Sequence, residues 1–452
     1  MKMKWRLSEN AQTRPEVIPF FAVFLLLLIP VIILIYFFNL SDWLNEKNVA
    51  AAILIKGVST PIVIALTLAS ILYMSESCKL HYFYMHQYLS AKNNYRVTAY
   101  ARRNMTLLAW NSLSPVQDIA LKMLNMEGAM TLAPETPQLI KNNDLFDVPR
   151  LEDVLRKLAE PLKEKLNEPY SFDVSVWIRG QVVDQSESVR SALTAAGIHT
   201  SRIKAINVMD RCPGYSLIES WINAFHADSE GYHLLIIADL QNEQQKDFME
   251  SATVFLFGCY SDRAAKPLFV TMPLTESNNL AESVTAFFRT KNLPTANVLW
   301  HTNLERREKY PLFEALNRES VARERLDVDS AFGERSPGYA WLMLALAADA
   351  ALYALGPQLL AASGKNGFGM MSIATRYATE PTPPEMPVPV SALNALTATV
   401  LTLFTCFFIN IVFSEKELAI SLTMTLLAPL MTALLTGSAA WINIKMASEQ
   451  SA

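Results

Sequence analysis

Glycine is scarce, with 14 in 452 residues. Neither G-x-G-x-x-G nor G-x-x-x-x-G-K-[ST] occurs, so no backbone cradle for phosphates is legible and nucleotide binding has no local support. Cysteine is scarcer. Cys78, Cys212, Cys259 and Cys406 show no C-x-x-C or other ligand spacing, which excludes a disulfide framework and argues against a zinc site. The six histidines include no H-E-x-x-H, and no metal or other cofactor is implied. Basic charge is not in excess either, 39 Lys and Arg standing against 43 Asp and Glu for a net charge of −4. Gripping a polyanion needs clustered positive charge, so no nucleic-acid partner is expected. Charged residues of both signs make up 18 % of the chain, against 51 % hydrophobic residues and a mean hydropathy of +0.18. That is too apolar for a wholly water-soluble protein and too charged for a wholly membrane-embedded one. Two kinds of region are expected.

Residues 18–38 are almost entirely apolar, interrupted by Pro19 and Pro30, and about 20 such residues cross the hydrocarbon core of a bilayer. The run is too long for a signal peptide and is followed by a second, 50–74, so a membrane hairpin is the reading. Lys56 lies near the start of the second run, where it can snorkel to the interface. Lys79, Lys92, Arg96, Arg102 and Arg103 follow it, against the lone Glu76. Their excess puts both ends of the hairpin in the cytoplasm. Runs 391–413 and 418–441 form a second hairpin, which a Pro-rich, semi-rigid spacer at 381–390 precedes. A fifth apolar run, 339–361, is expected to stay out of the membrane. Asp349 at its middle would cost a few kcal/mol or more in lipid. Gly356-Pro357 ends its helix, and residues 368–377 then read as a strand that needs a sheet to join. The expected protein is a multi-pass one of a bacterial inner membrane. Its domains are a hairpin at 1–74, a basic helical juxtamembrane region at 75–150, a cytoplasmic domain at 151–380 and a hairpin at 391–452. The aromatics Tyr82, Phe83, Tyr84, Tyr88, Tyr95 and Tyr100 in the juxtamembrane region suit either a collar on anionic headgroups or a solvated helix.

From residue 151 helices and strands alternate. Strands are expected at 172–178, 203–208, 233–239, 254–257, 268–272 and 297–300. Helices are expected at 151–166, 188–196, 217–227, 280–291 and 311–325. Short apolar strands separated by helices indicate an α/β class with a largely buried sheet.

Two residues stand out chemically. Cys212, in Asp210-Arg-Cys-Pro-Gly-Tyr-Ser216, follows a strand and is expected at the N-cap of a helix with Pro213 at its first position. The helix's positive end and Arg211 would then favour a thiolate, and free backbone N–H groups could hold an oxyanion. A small residue tucked under a turn is the simpler alternative. His301 follows a strand directly in Trp-His-Thr-Asn and could serve as a donor at the sheet's edge. His226 and His233 flank a loop and read as structural.

The order of Cys212 with its helix, the strand leading to His301-Thr302, and Ser330-Ala-Phe-Gly-Glu334 before an Ala-rich helix resembles the β-ketoacyl synthase, thiolase-like family. The resemblance covers about residues 150 to 380. It implies a layered thiolase-like α/β domain, a nucleophilic role for Cys212, a donor role for His301 and an acyl ligand. The departures are as informative. The family's second histidine falls at Glu334 and its lysine at Asp329, and the loop after His301 lacks the family's glycines. A carboxylate placed where negative charge must develop repels it unless protonated. The site therefore reads as vestigial.

The expected function is that of a membrane-anchored, non-catalytic protein that works by binding another protein. Its layout also resembles accessory proteins of bacterial type VI secretion clusters, which implies an adaptor with a secreted effector or a secretion component as partner. One alternative is a membrane-bound acyl-transfer enzyme using Cys212 and His301. The other is a transporter or an immunity protein, with Asp349 and Lys56 as its polar residues.

Overall fold

The computed structural model describes residues 4–8, 13–44, 50, 53–116, 118–124, 126, 138–141, 149–168, 170–179, 185–225, 231–241, 248–258, 267–275, 279–291, 296–333, 335–353, 355–365, 367–412 and 422–449. The chain divides into two compact units. One comprises Met1–Leu7 and Arg96–Thr382, the other Ser8–Tyr95 and Pro383–Ala452.

The first unit is built on a ten-stranded mixed sheet. Its strands are β1 (Asn104–Leu113), β2 (Phe172–Ile178), β3 (Ile203–Val208), β4 (Tyr232–Asp239), β5 (Ser251–Gly258), β6 (Leu268–Thr271), β7 (Val298–Thr302), β8 (Glu324–Asp327), β9 (Gln358–Ala362) and β10 (Gly369–Ala374). They lie in the order β3-β2-β4-β5-β1-β6-β10-β9-β7-β8. Read from its two ends, this order is the same. In each half the first strand is flanked by two parallel neighbours, and the fourth returns antiparallel to the third. Strands β1 and β6, antiparallel to each other, join the halves. Helices Gln185–Ala195 and Ser216–Phe225 make the parallel connections of the first half, and Arg306–Arg318 and Tyr339–Leu352 those of the second. Strands β5, β9 and β10 are buried along their whole length. That burial explains their near-continuous apolar sequence, since helices cover both faces of such strands.

Helix Tyr339–Leu352 sits at the centre of this unit. It packs on β7, β9 and β10 of one half and on β1 and β5 from the other side. Six alanines let strands approach it closely, and all its residues but Asp349 and Leu352 are buried. At 1.5 Å per residue it is about 21 Å long, short of the roughly 30 Å hydrocarbon core. Asp349 Oδ1 accepts a hydrogen bond from Trp110 Nε1 at 2.9 Å. Burial raises its carboxyl pKa and the indole N–H opposes that rise.

Two expectations need correction here. Region 75–150 is not helical throughout: helix Met74–Ala101 gives way to β1, which bridges β5 and β6. Its Met, Leu and Ala residues favour helix locally, and the two long-range pairings override them. The helix expected at 311–325 is Arg306–Arg318, and Glu324–Asp327 is a parallel edge strand on β7.

Among the described residues the second unit contains four helices long and apolar enough to cross a membrane: Phe20–Phe37, Ile53–Leu72, Val390–Val412 and Thr423–Met446. Leu26, Phe37 and Ile411 are among their many exposed large apolar residues, as a lipid-facing surface requires. Polar side chains tie the helices together. Thr67 and Thr405 hydroxyls meet at 2.7 Å, and Asn394 Nδ2 donates to the Ser70 carbonyl at 3.0 Å. Bonds and small-residue contacts of this kind hold helices together where lipid surrounds them.

Candidate functional site

The carboxyl ends of the parallel strands β2, β4, β7 and β9 lie in register, Ile178 beside Ala238 and Thr302 beside Ala362. Ligands of open α/β sheets bind outside such ends. A cavity of about 470 Å³ opens there, lined among others by Trp177, Arg179, Arg211, Cys212, Asn303, Arg335 and Lys365.

The residue just past β2 and the last residue of β4 make its firmest feature. Arg179 pairs with Asp239, whose side chain is fully buried. Arg179 Nη2 also donates to Ser336 Oγ at 2.7 Å, and the Ser336 hydroxyl bonds to Asp239 Oδ2. The Gly338 N–H donates to the same carboxylate oxygen at 2.9 Å. A Cβ on Gly338 would stand 2.5 Å from Asp239 Oδ2, so only glycine fits at this approach. The Arg179 guanidinium lies 4.2 Å from the Phe248 ring centre, which positions it further. Burying a carboxylate is tolerable only with this much compensation.

Cys212 lines the cavity but does not cap a helix. The helix begins at Ser216, where a turn whose Gly214 carbonyl accepts from the Leu217 N–H leads into it, so Cys212 and Pro213 lie before it. A helix's positive end acts only within its first turn, so Cys212 lies beyond its reach. The thiol donates to the Pro337 carbonyl at 3.5 Å. Its pKa is raised, chiefly by burial and then by the Asp239 carboxylate, with Arg179 and Trp341 opposing. The expected thiolate is therefore not favoured.

His301 is not part of the cavity wall. It faces helix Arg306–Arg318, with its ring 5.4 Å from that of Phe313 and Nδ1 3.7 Å from Asp327 Oδ1. Burial lowers its pKa to about 4, Asp327 opposes this, and Lys309 and Arg325 add to it. Side chains alternate along a strand, so the neighbour Thr302 points the other way. Thr302 donates to Asp329 Oδ1 at 2.6 Å and the Asn303 N–H to Asp329 Oδ2 at 2.8 Å. Asp329 thus ties down the exit of β7, its carboxyl pKa raised by burial against these two bonds. Glu334 lies outside the described residues, as do Cys259 and His226.

Arg179, Asp239, Ser336 and Asn303 were not singled out from the sequence, yet one signal pointed to two of the loops. Arg211-Cys-Pro-Gly-Tyr215 and Arg335-Ser-Pro-Gly-Tyr339 are near copies. Each precedes the helix that leads into the third strand of its half. The copies are also bonded to each other. Trp341 Nε1 donates to the Pro213 carbonyl at 2.8 Å, Tyr215 Oη to the Ala340 carbonyl at 2.9 Å, and Cys212 to Pro337 as above. The duplicated strand order and the duplicated loop describe one internal repeat.

No family model matches the chain, and no curated protein does. Solved structures similar to it include the following. The 3-oxoacyl-[acyl-carrier-protein] synthase III of Aquifex aeolicus is 13 % identical, with 60 % of this chain and 99 % of that one covered at a TM-score of 0.37. A variant of OleA from Xanthomonas campestris is 8 % identical, with 60 % and 98 % covered at a TM-score of 0.40. AbyA1, a tetronic acid condensing enzyme, is 11 % identical, with 60 % and 99 % covered at 0.38.

Proposed function

We propose that this chain is a membrane-anchored, non-catalytic binding protein whose α/β unit presents the cavity over its strand ends to a partner protein. The observation that carries the reading is the state of Cys212. Its thiol is held as a donor to the Pro337 carbonyl and its pKa is pushed up, while His301 faces helix Arg306–Arg318. Covalent catalysis needs a nucleophile activated by a base within hydrogen-bond reach or by a lowered pKa. With Arg179 paired to Asp239 and Arg335 beside Asp329, the cavity wall offers Arg211 and Lys365 together with Asp210 and Glu305, a polar lining of both signs suited to a protein segment that carries charges of both signs.

In the setting its layout resembles, a type VI secretion cluster, the partner is an effector being handed on or a component of the machinery. The basic residues after the second span support a cytoplasmic α/β unit at the inner membrane. The acyl-transfer reading keeps one supporting observation, that Cys212 does line a cavity of about 470 Å³. The transport reading finds little at Asp349, whose carboxylate is engaged by Trp110 within the α/β unit.

The two leading readings separate in one experiment. The solubilised full-length chain is incubated with a long-chain acyl thioester, and the peptide containing Cys212 is read by mass spectrometry. An unmodified thiol is expected. A stoichiometric acyl adduct on Cys212 would replace this reading with the enzymatic one.

A further inference from the structure

A second cavity lies within the α/β unit and shares no lining residue with the one over the strand ends. It measures about 400 Å³, and Trp110, Leu113, Asp118, Leu346, Asp349 and Tyr353 are among its walls. Strand β1, the short helix Ile119–Met123 and the end of helix Tyr339–Leu352 position them. The described lining holds two carboxylates and no lysine, arginine or histidine.

Asp349 is out of place here on two counts. It stands in the last turn of helix Tyr339–Leu352, where the negative end of the helix favours a cation and disfavours a carboxylate, and that turn carries no basic residue. It is also the one charged residue of a helix otherwise apolar. Only the Trp110 indole N–H, on Oδ1, offsets its burial, and no cation among the described residues does so. Oδ2 has no hydrogen-bond partner among the described residues and is not enclosed, so it opens on the cavity. A neutral amide would serve Trp110 as well. The negative charge is a mismatch that the fold leaves in place and a cationic occupant relieves.

The rest of the wall narrows the kind of cation. Trp110 and Tyr353 flank the carboxylate with aromatic rings, whose faces attract organic cations, and Leu113 and Leu346 offer surface to a short hydrocarbon stem. No group of three His, Cys, Asp or Glu side chains suited to a metal ion occurs among the described residues. We propose that this cavity binds a small primary alkylammonium ligand, whose N–H donates to Asp349 Oδ2 beside Trp110 and Tyr353 and whose stem lies along Leu113 and Leu346. The site stands whether or not the strand-end cavity receives a protein partner.

The test is a calorimetric titration of the purified full-length chain in detergent with n-butylammonium, for which saturable one-to-one binding is expected. Two further probes each remove one feature: n-butanol keeps a stem without the charge, and tetramethylammonium keeps the charge without an N–H. Both are expected to bind at least about tenfold more weakly, the size of one hydrogen bond between charged groups. Asp349→Asn keeps an acceptor for Trp110 and removes the charge. It is expected to weaken n-butylammonium binding at least about tenfold and, without ligand, to melt at or above the midpoint of the parent chain. Tyr353→Ala, at an exposed position, should weaken binding several-fold with the midpoint unchanged. No saturable binding of n-butylammonium, equal binding of n-butanol or tetramethylammonium, or unchanged affinity in Asp349→Asn would each overturn the proposal. A lower midpoint for unliganded Asp349→Asn would give the charge a structural role and overturn it as well.

Discussion

The two copies of the Arg-[Cys/Ser]-Pro-Gly-Tyr loop begin alike and end up holding different things. In the second copy, Ser336 and Gly338 reach across to the other half and hold the buried Asp239 carboxylate together with Arg179. In the first copy, Cys212 occupies the place of Ser336 and binds a backbone carbonyl, while Pro213 accepts from Trp341. One copy thus fixes a buried charge, and the other leaves a weak donor facing a cavity. The strand ends differ in the same sense. Arg179 and Asp239 follow β2 and end β4, whereas Asn303 and Ser363 follow β7 and β9, and Ser363 donates to Glu308 at 3.0 Å. A duplicated scaffold has been specialised, with its rigid anchor in one half and its opening beside the other loop.

The comparison breaks most severely at Asp239. Asp239→Ala strands a largely buried guanidinium and removes the acceptor for Ser336 and the Gly338 N–H. A loss of about 3–5 kcal/mol is expected, as when one partner of a buried pair is removed. Thermal denaturation of the full-length chain in detergent, followed by tryptophan fluorescence, reads it. A loss under about 1 kcal/mol would mean that the second loop anchors nothing.

Next in size is a pH effect at His301, in the second half. The folded pKa near 4 lies below the unfolded value of about 6.5. As pH falls, the unfolded chain therefore binds the proton first. The stability contributed by a neutral His301 is complete above pH 6.5 and is lost as pH falls from about 6.5 toward 4, to the extent of about 3 kcal/mol. Denaturation midpoints between pH 7.5 and 4.5 should fall for the parent chain and fall less for His301→Phe. Parallel pH profiles would remove His301 as the cause.

The smallest effect separates the loops directly. Ser336→Ala leaves a buried carboxylate one donor short and is expected to cost about 1–3 kcal/mol. Cys212→Ala, giving up only a weak thiol donor, is expected to cost under about 1 kcal/mol. Equal costs would mean that the two loops bear equal weight.

The strands that run apolar, such as 233–239 and 254–257, are legible in the sequence because they are buried along nearly their whole length. Strand β1 is not, since its Met-Thr-Leu-Leu-Ala core favours helix until β5 and β6 pair with it. Strand β9 is hidden at the end of an apolar run whose first part is the helix Tyr339–Leu352. At the site, Cys212 is legible from its residue type alone. Arg179 and Asp239 meet only through the register of β2 on β4, which no local pattern encodes. His301 misleads for a related reason, since one step along a strand reverses the face on which a side chain stands. The repeated Pro-Gly-Tyr, by contrast, was available as a sequence signal and would have led to the second loop.

The central claim is that Cys212 remains a protonated donor in a binding cavity. The pH–rate profile of its alkylation by iodoacetamide in the intact chain, resolved by peptide mass spectrometry, tests it most directly. Burial and Asp239 predict slow modification at neutral pH, with the rate still rising above pH 9. Rapid modification at pH 7 with an inflection below the ordinary thiol value would reveal an activated nucleophile and contradict the account.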